Sequence, residues 1–140
     1  MLRGIDKILS PELLFVLDKM GHGDEIVIAD GNFPGESIGR RTLRADGSGV
    51  PALLRAILPL FPLDVYAPPV YLMERAARDA ALEIPIWEEY RRILLPHTDA
   101  APVMLERQAF YERARQAYAV VVTGEGAIYA NVILKKGVVL

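Results

Sequence analysis

The residues suited to chemistry in this chain are few, and the first is an imidazole. His22 stands between two glycines in Gly21-His22-Gly23-Asp24, which leaves its ring uncrowded and lets the backbone approach a ligand. Histidine is the side chain whose unperturbed pKa, about 6.5, suits proton transfer near neutrality. The same four residues also fit a helix-to-strand turn whose imidazole is simply hydrogen-bonded to backbone. The other histidine, His97, follows Pro96 in a loop and reads as a surface residue. Two histidines without a clustered third ligand do not make a metal site, although Asp24 and Asp30 offer oxygen ligands. The chain has no cysteine, so disulfides, thiolate chemistry and cysteine-ligated zinc are excluded.

Two charged residues, Asp30 and Arg107, each follow a short apolar run that reads as a strand. In open α/β sheets, ligands gather at the carboxyl ends of strands, which makes both candidates for a site; a solvated charge at a strand end is the plainer reading. In Ile128-Tyr129-Ala130-Asn131-Val132 a period of two puts Tyr129 and Asn131 on one face of a strand. A ring that stacks beside an amide that both donates and accepts suits the hydroxyls of a sugar, and a half-exposed terminal strand would look the same. Other patterns are excluded. Gly47-Ser48-Gly49 lacks the lysine and spacing of a P-loop and reads as a helix-start turn. Gly21-His22-Gly23 and Gly124-Glu125-Gly126 do not complete a dinucleotide fingerprint, and no Gly-x-Ser-x-Gly elbow is present.

The elements that must position these residues alternate. Ser10 before Pro11 and Glu12 starts a helix whose apolar face is Leu13, Val16, Leu17 and Met20, closed at Gly21. Asp24 to Asp30 reads as a strand buried on both faces. A Gly- and Pro-rich loop is expected from Gly31 to Gly49, then a helix through Leu53, Ala56, Ile57 and Leu60, stopped near Pro59. Val65 to Met73 has strand composition, and Pro68 and Pro69 point to an edge position or a bend. A helix through Ile86, Tyr90 and Ile93, a strand from Pro102 to Glu106 that delivers Arg107, and a helix through Phe110, Ala114 and Ala117 follow. The tail reads as strands 117–123 and 128–134 joined by Gly124-Glu125-Gly126. This alternation predicts an α/β fold, one domain over residues 1–140, with a mostly parallel sheet and an antiparallel pair at the C-terminus if the tail is a hairpin.

Composition agrees with a chain that folds unaided: 52% of residues are hydrophobic and 24% charged. The formal net charge is −2, from 16 basic and 18 acidic side chains, and the basic ones are scattered, so a nucleic-acid partner is not expected. The opening Met-Leu-Arg-Gly-Ile-Asp-Lys is too charged for a signal peptide, and no apolar run reaches the about 18 residues of a membrane span. A cytoplasmic location without membrane contact is expected.

Seven separated segments together resemble one family. Met20-Gly-His-Gly-Asp-Glu-Ile-Val, Ala29-Asp-Gly-Asn-Phe-Pro, Leu43-Arg-Ala-Asp-Gly, Phe110-Tyr-Glu-Arg-Ala and Thr123-Gly-Glu, with Tyr129-Ala-Asn and Lys135-Lys-Gly-Val, are similar to the L-fucose mutarotase family in an ordered match from Ser10 to Val138. The sibling D-ribose pyranase family shares the Gly-His, Asp, Ser/Thr-Gly-Glu and Tyr-Ala-Asn elements. The resemblance implies a three-layer αβα fold and a cofactor-free isomerase acting on a free monosaccharide. It also implies a ring-shaped homodecamer with sites at subunit contacts. By the same resemblance His22 is the proton donor, while Asp30, Arg107, Tyr129, Ala130 and Asn131 bind the sugar. Two positions depart from the fucose type: Ala130 stands where glycine is usual, as in ribose pyranases, and Gln108 where an aromatic residue is common.

The chemistry so implied is interconversion of α and β anomers, most simply of L-fucose, with Asp24 a neighbour able to tune His22. The alternatives are pyranose–furanose exchange of D-ribose on the same site, and a non-catalytic sugar-binding accessory of uptake. A phosphate-ligand module at Gly47 to Gly49 is a third class.

Overall fold

A computed structural model describes all 140 residues. The chain runs α1 (Pro11–Lys19), β1 (Glu25–Ala29), α2 (Gly35–Ile38), β2 (Thr42–Ala45), α3 (Val50–Ile57) and β3 (Val70–Met73). A 3₁₀ turn (Ala77–Asp79), α4 (Pro85–Leu94), β4 (Val103–Leu105), α5 (Arg107–Gln116), β5 (Ala119–Thr123) and β6 (Val132–Lys135) complete it. The local signals read from the sequence act as expected at the first helix: Ser10 accepts from the Leu13 N–H at 3.1 Å, and Pro11 occupies the first turn, where its missing N–H costs nothing.

The six strands lie in the order β2-β5-β1-β6-β3-β4. Five are parallel and β6 alone is reversed, pairing antiparallel with both β1 and β3. Successive side chains of a strand point to opposite faces, and here both faces are covered. Ile26, Ile28, Leu72, Val121 and Leu134 face α1, α3 and α4 in a core of 25 buried residues. Val27, Val120, Val122 and Ile133 face the other way, against Phe110 and Ala114 of α5, in a core of 11. The result is a three-layer αβα sandwich. The apolar runs of the inner strands β1, β3, β5 and β6 are explained by burial on both sides, each fully buried aliphatic side chain contributing roughly 1.5–3 kcal/mol.

Several expectations are corrected. The segment from Gly31 to Gly49 is not one loop, because it holds α2 and the edge strand β2. α2 lies so close to the sheet that a Cβ on Gly35 would sit 2.3 Å from Val122 Cγ2. The strand expected over residues 65–73 is only Val70–Met73, and it lies inside the sheet between β6 and β4. Pro68 and Pro69 precede it, so neither has to donate to the ladder, and the Pro69 carbonyl still accepts from Lys135 N–H. The tail is not a hairpin. β1 lies between β5 and β6, and the eight residues from Gly124 to Asn131 cross its carboxyl end. The last strand starts at Val132 rather than Ile128, because Tyr129 has φ 55°, which no ladder accepts. Tyr129 and Asn131 therefore share a surface by the path of a loop, not by strand alternation.

This topology decides what can meet. The ends of β1, β3, β4 and β5 lie on one edge of the sheet, together with the start of β6. His22, which precedes β1, lies at the opposite edge.

Candidate active site

At the carboxyl edge Asp30 caps β1 and is 6% exposed. Its N–H donates to Asn131 Oδ1 at 2.8 Å, and its own Oδ1 accepts from Asn32 N–H at 2.9 Å. Burial pushes the Asp30 carboxyl above the usual carboxylate range, and the Glu125 charge adds to that. The Asn32 N–H, the Asn131 side chain and the Phe33 N–H oppose the rise. A carboxylate so enclosed is a strong acceptor for hydroxyls, which bring the protons it lacks.

The loop that carries Tyr129, Ala130 and Asn131 is fastened residue by residue. Tyr129 OH donates to Asp79 Oδ2 at 2.6 Å and accepts from Ala76 N–H at 3.0 Å, and its carbonyl accepts from Trp87 Nε1 at 2.8 Å. These bonds hold a non-glycine residue at positive φ, a conformation that persists only where its surroundings over-determine it. Ala130 is wholly buried, and its carbonyl accepts from Tyr90 OH at 2.6 Å. Burial and the nearby Glu125 and Asp30 charges push the Tyr90 hydroxyl well above its ordinary range, which keeps it a donor. Glu125 ties the near end of the loop to the helix layer, accepting from Ala127 N–H at 3.0 Å and from Val50 N–H at the start of α3 at 3.3 Å.

Asp30, Tyr129 and Asn131 line one cleft of about 460 Å³ with Asn32, Arg78 and Asp79, and apolar residues complete it. Such a volume suits a small ligand. Arg107 does not line this cleft. It is the exposed first residue of α5, set off from β4 by Glu106, which caps the helix by accepting from Gln108 and Ala109 N–H. It lines an adjoining hollow of about 610 Å³ whose wall of Arg78, Asp79 and Tyr129 the two share. The carboxylate of Asp79 was not foreseen; it sits in a short 3₁₀ turn with no sequence signature.

At the opposite edge His22 is the centre of a second cluster. Its Nε2 is 3.1 Å from Oδ1 of Asp64; the imidazole is 45% exposed and the carboxylate 4%. The Tyr66 N–H, donating to the same oxygen at 3.1 Å, holds the Asp64 carboxyl below the usual range, and His22 adds to this. The Tyr66 ring lies 5.5 Å from the imidazole. Gly23 has φ 85°, a turn conformation that favours glycine, and donates to Lys136 O at 2.8 Å. Asp24, the expected neighbour of the imidazole, instead accepts from Gly21 N–H at 2.8 Å and closes the turn. The carboxylate at His22 comes from 42 residues away, from an unmarked Leu63-Asp64-Val65 segment that no local spacing could have singled out. His97 is exposed, and no group of three or more His, Asp or Glu side chains converges on a point.

Comparison with known proteins gives this geometry its context. Residues 3–139 match the RbsD / FucU transport protein family. The chain belongs to that family. It is 53% identical to a mouse fucose mutarotase over 143 residues, 97% of this chain and 94% of the mouse protein. The crystal structure of FucU from Bifidobacterium longum superposes with a TM-score of 0.94 at 51% identity, covering 99% of this chain and all of that one. The fucose mutarotase from Streptococcus pneumoniae, solved in complex with L-fucose, gives a TM-score of 0.93 at 45% identity and the same coverage. The family's three-layer fold is therefore the fold of this chain.

Proposed function

We propose that the protein is a sugar mutarotase, an isomerase that exchanges the α and β anomers of free L-fucose without a cofactor. The observation that carries the proposal is the near full-length likeness, at about half identity, to proteins described as fucose mutarotases. The residues present can perform the reaction. The ring oxygen gains a proton as the C1 hydroxyl loses one, the C1–O5 bond breaks, and the open-chain aldehyde recloses on its other face with no net redox change. His22 supplies the proton. With Nε2 turned to Asp64, Nδ1 is the nitrogen free to exchange it, and the carboxylate fixes the orientation of the ring. Asp30 and Asn131 fix hydroxyls, Tyr129 orients the ring, Ala130 shapes the backbone between them, and Arg107 closes the adjoining side. A cytoplasmic location belongs to the same proposal; no helix is long and apolar enough to cross a membrane.

His22 and Asp30 stand at opposite ends of β1, which at five residues spans about 16 Å, so one monosaccharide cannot touch both in the same chain. A homo-oligomer solves this if His22 of one subunit faces the Asp30 cleft of the next. A decameric ring with sites at subunit contacts is the arrangement we adopt. Exchange spectroscopy by NMR tests the reaction. Cross-peaks between L-fucose anomers should exceed the buffer rate, whereas a sugar-binding accessory would leave them at that rate. D-ribose is the second arm because Ala130 matches the pyranase pattern. Mixing inactive His22→Ala and Asp30→Ala chains tests the shared site. Random assembly should restore about a quarter of the sites, and no recovery would refute the sharing.

A further inference from the structure

The cleft around Asp30 carries a feature that hydroxyl recognition leaves unused. Two large aliphatic side chains in it are solvent-accessible, Leu82 at 43% and Ile128 at 54%, and Met73 and Tyr111 line the same space. Both accessible residues are held in place. The Leu82 carbonyl accepts from Arg75 at 2.5 Å, and Ile128 immediately precedes Tyr129, which is fastened at hydroxyl and carbonyl. The polar lining is the Asp30–Asn32–Asn131 group, linked by mutual hydrogen bonds, and the Arg78–Asp79–Tyr129 edge; the two aliphatic residues adjoin that edge, Leu82 N–H donating to Asp79 O at 2.9 Å and Ile128 preceding Tyr129. In the single chain this aliphatic surface sits beside the groups that would hold hydroxyls, where it matches a part of the ring that carries none.

On the mutarotase reading, and resting on it, we propose that Leu82 and Ile128 read the substituent at C5 of the sugar. The site accepts a methyl group there, tolerates hydrogen, and rejects hydroxymethyl. In a 6-deoxyhexose the C5 methyl is the one substituent without a hydroxyl, so seating it on Leu82 and Ile128 leaves every hydroxyl for the polar groups. A hydroxymethyl group at that place buries a hydroxyl with no partner, since aliphatic side chains offer neither donor nor acceptor. The substrate class is then aldopyranoses of one ring configuration with an apolar C5 substituent. Three sugars share that configuration and differ only at this point: L-fucose with methyl, D-arabinose with hydrogen and L-galactose with hydroxymethyl.

Saturation-transfer NMR on the three sugars with the intact protein tests this. For the native chain kcat/KM should fall roughly tenfold from L-fucose to D-arabinose, the cost of a missing methyl, and roughly 100-fold from L-fucose to L-galactose. Replacing either side chain by serine, Leu82→Ser or Ile128→Ser, should lower the L-fucose to D-arabinose ratio toward one and raise the relative rate on L-galactose. Both residues are partly exposed in the single chain, so neither variant removes core packing; circular dichroism checks the fold and size-exclusion chromatography the assembly. Equal rates on L-fucose and L-galactose, or ratios unmoved in both variants while L-fucose is still exchanged, would overturn the C5 assignment and leave the mutarotase reading standing. Absence of acceleration on all three sugars would overturn the mutarotase reading itself, and the assignment with it.

Discussion

The two ends of β1 are built on opposite plans. At the carboxyl end Asp30 is closed in by Asn32, Asn131 and the fastened loop from Gly124, and its carboxyl is pushed up by burial. At the amino end the carboxylate, Asp64, is buried and held down, while the group it serves, His22, stands half in solvent. One end is an enclosed, hydrogen-bonded cleft; the other is an imidazole presented outward on a fixed carboxylate. On the proposed mutarotase reading, the difference teaches that rigidity lies where the ligand is shaped and exposure where the proton is delivered. The two functions are separable within one chain, and variants at the two ends should fail differently.

The largest effect is expected at the exposed end. His22→Ala should lower kcat for anomer exchange by about 10²–10⁴ while the sugar still binds. Isothermal calorimetry alongside exchange NMR separates the two quantities. Unchanged exchange would remove His22 from the chemistry. At the enclosed end Asn131→Asp sets a second carboxylate against Asp30 and should act first on affinity, weakening binding roughly tenfold or more through like-charge repulsion and a lost amide donor. If that variant lowered kcat alone, the division between the two ends would be wrong.

The pH dependence of stability should sharpen the contrast, because the two aspartates are shifted in opposite directions. A lowered folded-state pKa means the unfolded chain binds the proton more readily. Asp64 therefore stabilises the fold above about pH 4, and that contribution is lost as pH falls through the folded value. For Asp30 the sign reverses. Its contribution is present below about pH 4 and is lost as pH rises through its raised folded value. Thermal melts should show Asp64→Asn below the native chain at pH 7 and Asp30→Asn above it, with both gaps closing under acid. Two variants moving in the same direction at pH 7 would contradict the opposed settings.

Much of the layered fold was legible because it follows from local rules: Ser10-Pro11 starts α1, and the unbroken apolar run of β1 demands cover on both faces. What was not legible depends on contacts across long stretches of chain. β2 is half-buried and short, so it lacks the apolar run that marks a strand. β6 is an apolar stretch like β5, and nothing in either says that β1 will lie between them. Of the candidate site residues, Asp30, Tyr129 and Asn131 do meet, but Tyr129 and Asn131 do so through a strained loop instead of a strand. Asp64 and Asp79 were invisible because a carboxylate is given its role here only by a partner 42 or 50 residues away.

The smallest expected effect concerns Ala130, the position where this chain departs from the fucose type. Its side chain is fully buried and its carbonyl is occupied by Tyr90, so its methyl faces protein and not the cleft. Ala130→Gly should therefore cost stability through lost burial and added backbone freedom, about 1–2 kcal/mol in a melt, next to a residue already held at positive φ. The ratio of exchange rates on L-fucose and D-ribose should stay within about twofold, since one methyl outside the binding surface has no differential contact with either sugar. A shift of tenfold would mean that residue 130 reaches the sugar through a movement of the loop, and would make the enclosed end of β1 less rigid than its hydrogen bonds imply.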